Sequence, residues 1–301
     1  MNGKIVVTGA SGWVGRTILE MLSETLSSDE FEARVCGFSS KERRVDLLNG
    51  KELLLKPLTD LPMMARTKPL AWILHCAFLT PDHYKQLGAE TYSSLNREIS
   101  SIVRKSILSS NAPPRVVTFS SGAATLVEQE SARKSAAGVK LYGQLKLEEE
   151  ASLKMICQTL VLRIFALTGR YIRNPKRYAL GEFLYHIHNN MSPQIRSQQP
   201  VVRGYGHADA IAALALQWLA SEDEPTPRPI PTISHTVELT ELAAIICHLY
   251  RKPAPITMPY TTSEADSYTD SEKAFLNMLE RYGLVSASLQ QQVLDTARAF
   301  K

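Results

Sequence analysis

A doubly wound parallel α/β sheet is the fold class this chain predicts, on three observations. An apolar strand, Ile5 to Thr8, runs straight into glycines at positions 9, 12 and 15 and then into a helix-compatible stretch. Further β-type runs alternate with helical patterns across the first half of the chain. After Arg170 the pattern loosens, with Asn174-Pro175, Ser192-Pro193 and Gln199-Pro200 interrupting short helical pieces, which reads as a smaller second domain.

The first element reads as a nucleotide site. Ile5 to Thr8 is β-rich, and Val14, Ile18, Leu19 and Leu22 recur at helical spacing. Gly9 suits the tight turn that leaves the strand, Gly12 lets the backbone come close to a pyrophosphate, and Gly15 lets the helix pack against the sheet. The pyrophosphate would then sit on the N–H groups at the helix start. The spacing is G-x-x-G-x-x-G, and the loop residues Gly9, Ser11, Gly12, Trp13, Val14 and Gly15 are the expected cofactor contacts.

The strands that follow are expected at Ala33 to Phe38, Glu52 to Leu55, Ala71 to Cys76, Arg115 to Ser120 and Thr159 to Phe165. Crossover helices are expected at Tyr92 to Ser110 and Ser131 to Ile156. This is the rhythm of a Rossmann-type sheet, whose ligands bind at the C-terminal ends of the strands, so Gly9, His75, Ser120 and Ser121 should crowd one edge. The chain is expected to rejoin this domain through an apolar helix, Gly206 to Ala220, and a short strand, Thr232 to Ser234, with the proline-rich segment Glu224 to Pro231 as a loop between them. Two amphipathic helical stretches follow, one capped by Thr240 and one at Leu289 to Phe300. The expected division is a dinucleotide-binding domain of residues 1–170, 205–222 and 232–238, with a discontinuous substrate-binding domain of residues 171–204 and 239–301.

Composition narrows the function. With 301 residues, 44% apolar, 21% charged and a formal net charge of +4, the chain is an ordinary globular protein whose cations are interspersed with acids, which does not indicate a nucleic-acid groove. Cys36, Cys76, Cys157 and Cys247 lack metal-ligand spacing and fit reduced thiols. His186 and His188 stand two apart, and His207 with Asp209 reads as a structural pair, so no metal is expected. The first apolar stretch is only Ile5 to Val7, and neither a secretory leader nor a membrane span is expected, which places the protein in the cytoplasm.

Tyr142 and Lys146 stand four apart in a segment that reads as a long helix, so both project from one face. An ammonium beside a phenol stabilises the phenolate and makes the tyrosine a usable general acid or base. Ser120 and Ser121 end a strand about twenty residues earlier, where a hydroxyl can hold a substrate oxygen.

On these residues the chain resembles the extended short-chain dehydrogenase/reductases of the NAD-dependent epimerase/dehydratase group. The resemblance runs from Lys4 to about Ala220. It is carried by Thr-Gly-Ala-Ser-Gly-Trp-Val-Gly (8–15), His-Cys-Ala-Phe (75–78), Asn96, Phe-Ser-Ser-Gly (119–122), Tyr-Gly-Gln-Leu-Lys (142–146), Leu-Arg-Ile-Phe (162–165) and Arg-Gly-Tyr-Gly-His-Ala-Asp (203–209). It implies Tyr142 as acid–base, Lys146 as its pKa modifier and nicotinamide-ribose ligand, and Ser121 as the hydroxyl that orients the substrate, with Ser120 as the alternative. It further implies cofactor contacts at Cys76, Ala77, Phe78, Asn96 and Phe165, with Leu58 over the adenine or else in the core, and Arg203 on the diphosphate of a sugar nucleotide or else in a structural ion pair. The segment Tyr178 to Phe183 resembles the family's substrate-domain helix. The long helices resemble those that pair in its four-helix dimer interface; that would imply a homodimer, the oligomeric state being otherwise open.

Two departures stand out. Ala166 follows Phe165 where many sugar-nucleotide members carry an asparagine, and no acid stands beside Ser121 as in the dehydratases, which favours simple redox chemistry over dehydration. The second strand ends in Cys-Gly-Phe-Ser-Ser-Lys-Glu-Arg-Arg without an acid at its tip. Ser39, Ser40, Lys41 and Arg43 would attract a 2′-phosphate, so NADP(H) is expected over NAD(H), with Glu42 the acid that would reverse the preference. The expected activity is NADPH-dependent reduction of a keto group on a sugar nucleotide. An NAD-dependent 4-epimerase and a non-catalytic cofactor-binding sensor or assembly protein are the alternatives.

Overall fold

The computed structural model describes residues 3–130, 136–221 and 225–300. Strand β1 (Lys4–Thr8) leads into helix α1 (Trp13–Thr25); α2 (Ser28–Arg34) precedes β2 (Val35–Ser39), and β3 (Arg43–Asp46) pairs antiparallel with β4 (Glu52–Pro57). Next come α3 (Leu61–Thr67), β5 (Leu70–His75), α4 (Tyr84–Leu108), β6 (Arg115–Ser121), α5 (Gly122–Glu128), α6 (Ala137–Lys154) and β7 (Thr159–Ile164). Then follow β8 (Ala166–Thr168), α7 (Ala179–His188), β9 (Gln194–Ile195), β10 (Val201–His207), α8 (Ala208–Ala220), β11 (Ile230–Pro231) and β12 (His235–Glu238). The chain closes with α9 (Leu239–Leu249), β13 (Ile256–Thr257), β14 (Asp266–Tyr268), α10 (Lys273–Arg281) and α11 (Leu289–Ala297).

The main sheet has eight strands in the order β11-β7-β6-β5-β1-β2-β4-β3. β1 pairs in parallel with both β2 and β5, and β5 in parallel with β6, which makes the β1/β5 boundary the point where the strand order reverses. In register, Thr8 stands beside His75, and His75 beside Thr118, so one edge carries the tips named above. Ile5, Val6 and Val7 are fully buried, as a central parallel strand covered on both faces requires, and burial of each such side chain contributes roughly 1.5–3 kcal/mol.

Two compact units emerge. One comprises residues 1–163 and 212–230, the other 164–211 and 231–301. Residues 205–211 and 232–238, expected with the first, belong to the second, because β10 and β12 pair antiparallel in its own sheet. The helix expected from Gly206 starts at Ala208, since Gly206 and His207 are still in β10, and residues 232–234 precede β12 rather than forming a strand. The second unit's core gathers Leu180, Phe183 and Leu184 of α7 with Leu242 and Ile246 of α9 and Val293 of α11. The cap of α9 is Glu238, which accepts from the Thr240 N–H, so Thr240 is the capped residue and not the cap. The helix at 84–108 begins a full two turns before Tyr92, bent at Gly88 where φ is +75°. Residues 131–135 of the other expected helix, and Glu224 of the proline-rich loop, lie outside the described residues. No helix among the described residues is long and apolar enough to cross a membrane.

Candidate active site

The glycine loop has the geometry its spacing predicts. Gly9 takes φ +61°, and a Cβ there would strike the Cys76 and Ala77 backbone at 2.6 and 2.7 Å. A Cβ on Gly15 would lie 2.4 Å from the Gly9 carbonyl oxygen, so α1 can pack this closely on the loop only without one. Gly12 closes the turn by donating to the Gly9 carbonyl at 2.8 Å and stands at the N-cap of α1, where no side chain caps the helix and no acid occupies the first turn. A bare helix start without nearby negative charge fits a pyrophosphate. Ser11, Trp13 and Val14 lie on this turn, half-buried.

Behind the strand tips lies a buried polar chain. The Thr8 hydroxyl meets His75 Nδ1 at 2.7 Å, His75 Nε2 meets Glu149 Oε1 at 3.0 Å, and Glu149 Oε2 accepts from Lys146 Nζ at 2.9 Å. The tautomer that satisfies both His75 contacts carries its proton on Nε2, donating to the carboxylate and accepting from Thr8. Ser100 and Thr118 also donate to Glu149, at 3.0 and 3.1 Å. Lys146 donates to the Phe119 carbonyl at 3.0 Å, and its ammonium lies 3.8 Å from the centroid of the Phe78 ring. The same ring meets Tyr142 edge-on, 5.6 Å between centroids. Tyr142 and Lys146 thus both contact the Phe78 ring, and Lys146 is only 2% exposed.

Burial alone would raise the pKa of Glu149, but Lys146 and His75 outweigh it and bring the carboxyl down to about 2. An acid whose folded pKa is depressed lends stability that is complete above its unfolded pKa and lost as pH falls toward the folded value. Urea unfolding should therefore show stability intact above about pH 4.5 and falling by about 3 kcal/mol toward pH 2 from this residue; Glu149→Gln should flatten that acid limb. Burial pushes the Cys76 thiol well above its ordinary range, so it is no thiolate nucleophile. Tyr92 is likewise raised, by burial first and by Tyr142 second, and donates to the Leu79 carbonyl at 2.7 Å, so it stays a neutral phenol.

Several expected contacts have other occupations. Ser121 is the N-cap of α5, its oxygen accepting from Ala123 at 3.2 Å, whereas the buried Ser120 hydroxyl is given to Glu150. Glu150 in turn forms a bidentate pair with Arg163, at 3.0 and 2.7 Å. Asn96 is fully buried and accepts from the Leu79 N–H at 2.8 Å, which makes it a brace for the segment after β5. Leu58 packs with Val6, Phe38, Leu61 and Ile73 in the core. Ala77 donates to Thr8 Oγ1 at 3.2 Å.

In the second unit, Phe165 stacks against Tyr268, centroids 4.9 Å apart, and Arg203 is spent on Asp266, bonding its carboxylate at 2.8 Å and its carbonyl at 2.7 Å. That contact spans 63 residues and left no local trace in the sequence. His207 lies closer to Asp295, at 3.5 Å, than to Asp209, at 3.9 Å. Glu149 and Glu150 were missed because Glu-Glu-Glu in a helix reads as a solvated face; their spacing of three and four from Lys146 was the available signal.

No protein-family model matches the chain, and no curated protein matches it significantly. Solved structures do. A UDP-N-acetylglucosamine 4-epimerase from Methanobrevibacter ruminantium M1, in complex with UDP-N-acetylmuramic acid, superposes with a TM-score of 0.72 at 18% identity, covering 99% of this chain and 98% of that one. A UDP-glucuronic acid 4-epimerase from Bacillus cereus, in complex with UDP-glucuronic acid and NAD, gives 0.72 at 14% identity over 98% of both chains. MoeE5 in complex with UDP-glucose and NAD gives 0.70 at 16% identity, over 99% and 98%.

The cofactor in the second and third of these complexes is NAD, which overturns the expectation of NADP(H). The local geometry explains the error. The Ser39 hydroxyl is buried and donates to the Lys41 carbonyl, Arg43 is drawn into β3 opposite Leu55, and Arg44 pairs with Glu52 at 2.9 Å, so the cations counted in sequence are not gathered around one anion. The fold implied by the motif resemblance is the fold observed: this chain has the architecture of the extended short-chain dehydrogenase/reductases that act on sugar nucleotides.

Proposed function

We propose that the chain is an NAD-dependent enzyme that modifies a nucleoside-diphosphate sugar, and that its reaction is a 4-epimerisation. The observation that carries this reading is the end-to-end match to solved 4-epimerases together with a phenol, an ammonium and a strand-end hydroxyl in the unit that holds the glycine loop. NAD, when bound, supplies a hydride acceptor that later returns the hydride, so the cycle has no net redox change. Tyr142 takes the proton from the sugar hydroxyl through its Oη and gives it back after the face of the sugar has changed. Lys146 favours the phenolate by its charge across Phe78, and Ser121 orients the substrate oxygen. Glu42, exposed in the turn after β2, is the carboxylate that would accept from the adenosine ribose and repel a 2′-phosphate.

Melting temperature against NAD, NADP and a panel of UDP-hexoses tests this, since ligands that bind only the folded form raise it. NAD should raise it more than NADP, and a UDP-hexose should raise it further. The same mixture should interconvert the hexose with its 4-epimer without net change in nicotinamide absorbance. Stoichiometric NADH, or indifference to every UDP-hexose, would overturn the reading. A second reading, that the chain binds NAD without turnover, draws support from how fully Lys146 is engaged. Stabilisation by NAD with no epimer formed from any member of the panel would select it.

A further inference from the structure

Glu149 stands three residues after Lys146 on α6 and is wholly buried, where a carboxylate persists only with partners for its charge and its lone pairs. It has them from four elements: Ser100 on α4, His75 on β5, Thr118 on β6 and Lys146 on its own helix, with Thr8 of β1 holding His75 from behind. We propose that Glu149 is a positioning residue for the tyrosine–lysine pair: with the Phe119 carbonyl it takes two of the three N–H groups of Lys146 and fixes the third against Phe78, the ring whose edge meets Tyr142. The proposal rests on Tyr142 being the acid–base group.

Geometry dictates the consequence. A lysine head on a four-carbon stem has many positions, and two hydrogen bonds at 2.9 and 3.0 Å to groups on packed elements leave it one. The remaining N–H lies under the Phe78 face, where the ring quadrupole attracts it and where a hydroxyl could replace the ring only if Phe78 turned aside. The carboxylate also sets how much positive charge the phenol feels, because it is bonded to the ammonium at 2.9 Å. The other charged or titratable groups around this cluster are Cys76 after β5, Tyr92, Arg97 and Arg104 on α4, Asp82 ahead of α4, and Glu148 on α6, which pairs with Arg97. An open pocket of about 160 Å³ between α4 and α6 is lined by Phe78, Ser100, Leu145 and Glu149.

The test titrates Tyr142 directly by NMR in protein labelled with carbon-13 at tyrosine Cζ, assigned with Tyr142→Phe, and so needs no substrate. Glu149→Gln keeps the shape and one accepting oxygen while removing the charge; the Tyr142 titration midpoint should fall by about one pH unit or more, and the drop should vanish in a Lys146→Met background. An unchanged midpoint overturns the proposal, and so does an equal drop in both backgrounds, which would mean that Glu149 acts without Lys146. Should Glu149→Gln fail to fold, the unmodified protein still decides: a nitrogen-15 cross-peak of the Lys146 ammonium, assigned with Lys146→Met, should persist at neutral pH through slow exchange. Rapid exchange would overturn the proposal. Turnover by Tyr142→Phe would sink the functional reading by a separate measurement.

Discussion

Tyr142→Phe should lower kcat for interconversion of the UDP-hexose epimers by about 10²–10⁴-fold, the usual worth of a positioned proton-transfer group. NAD affinity should hardly change, because the glycine loop and the start of α1 do not depend on that hydroxyl. The ring is kept in the variant, so its edge contact with Phe78 survives and the fold should melt where the parent does. Initial rates by chromatographic separation of the epimers, with NAD titrated by fluorescence quenching, separate the two effects. Loss of NAD binding together with turnover would mean that the phenol is structural. Full activity would mean that another group moves the proton. Neither Cys76 nor Tyr92 is a ready substitute, since burial raises the pKa of both.

Local features of this site were legible in the sequence, and features made by packing were not. Gly9 and Gly15 could be read because a left-handed turn and a close helix contact are demands on single residues. Tyr142 and Lys146 could be paired because one helical turn separates them. The placing of Gly9, His75, Ser120 and Ser121 toward one sheet edge followed from parallel strand order, although the bond from His75 to Glu149 did not. By contrast, the burial of Glu149 exists only because α4 and α6 close over the sheet, and only the spacing from Lys146 marks which members of the three-acid run turn inside. Strand β3 was not foreseen because Arg-Arg-Val-Asp is too polar for a core strand; it is an edge strand with alternate residues exposed. The cofactor preference failed for a related reason. Summing charges along residues 39–44 assumes that they converge, and an extended strand sends neighbours to opposite faces.

Arg163→Leu should cost about 3–5 kcal/mol of stability, because it strands a carboxylate that is 3% exposed. In the folded chain Arg163 grips both oxygens of Glu150 from Nε and one terminal nitrogen, while its other nitrogen bonds Glu128 at 2.7 Å. Without the guanidinium, Glu150 keeps only the Ser120 hydroxyl among the described residues, so it must either stay charged in an apolar surrounding or take up a proton. The second course is cheaper, and it fixes the sign of the pH dependence. An acid whose folded pKa has risen above its unfolded value binds more protons folded than unfolded, so the deficit should be smallest below about pH 4 and should grow through neutrality. That runs opposite to the acid limb contributed by Glu149, and the two can be told apart in one urea series. Pairing the change with Glu150→Leu removes the stranded charge, and the double variant should be more stable at neutral pH than Arg163→Leu alone. If it is no more stable, the cost came from lost packing around the guanidinium stem, and the ion pair beneath Ser120 contributes little to holding β6 and β7 in place.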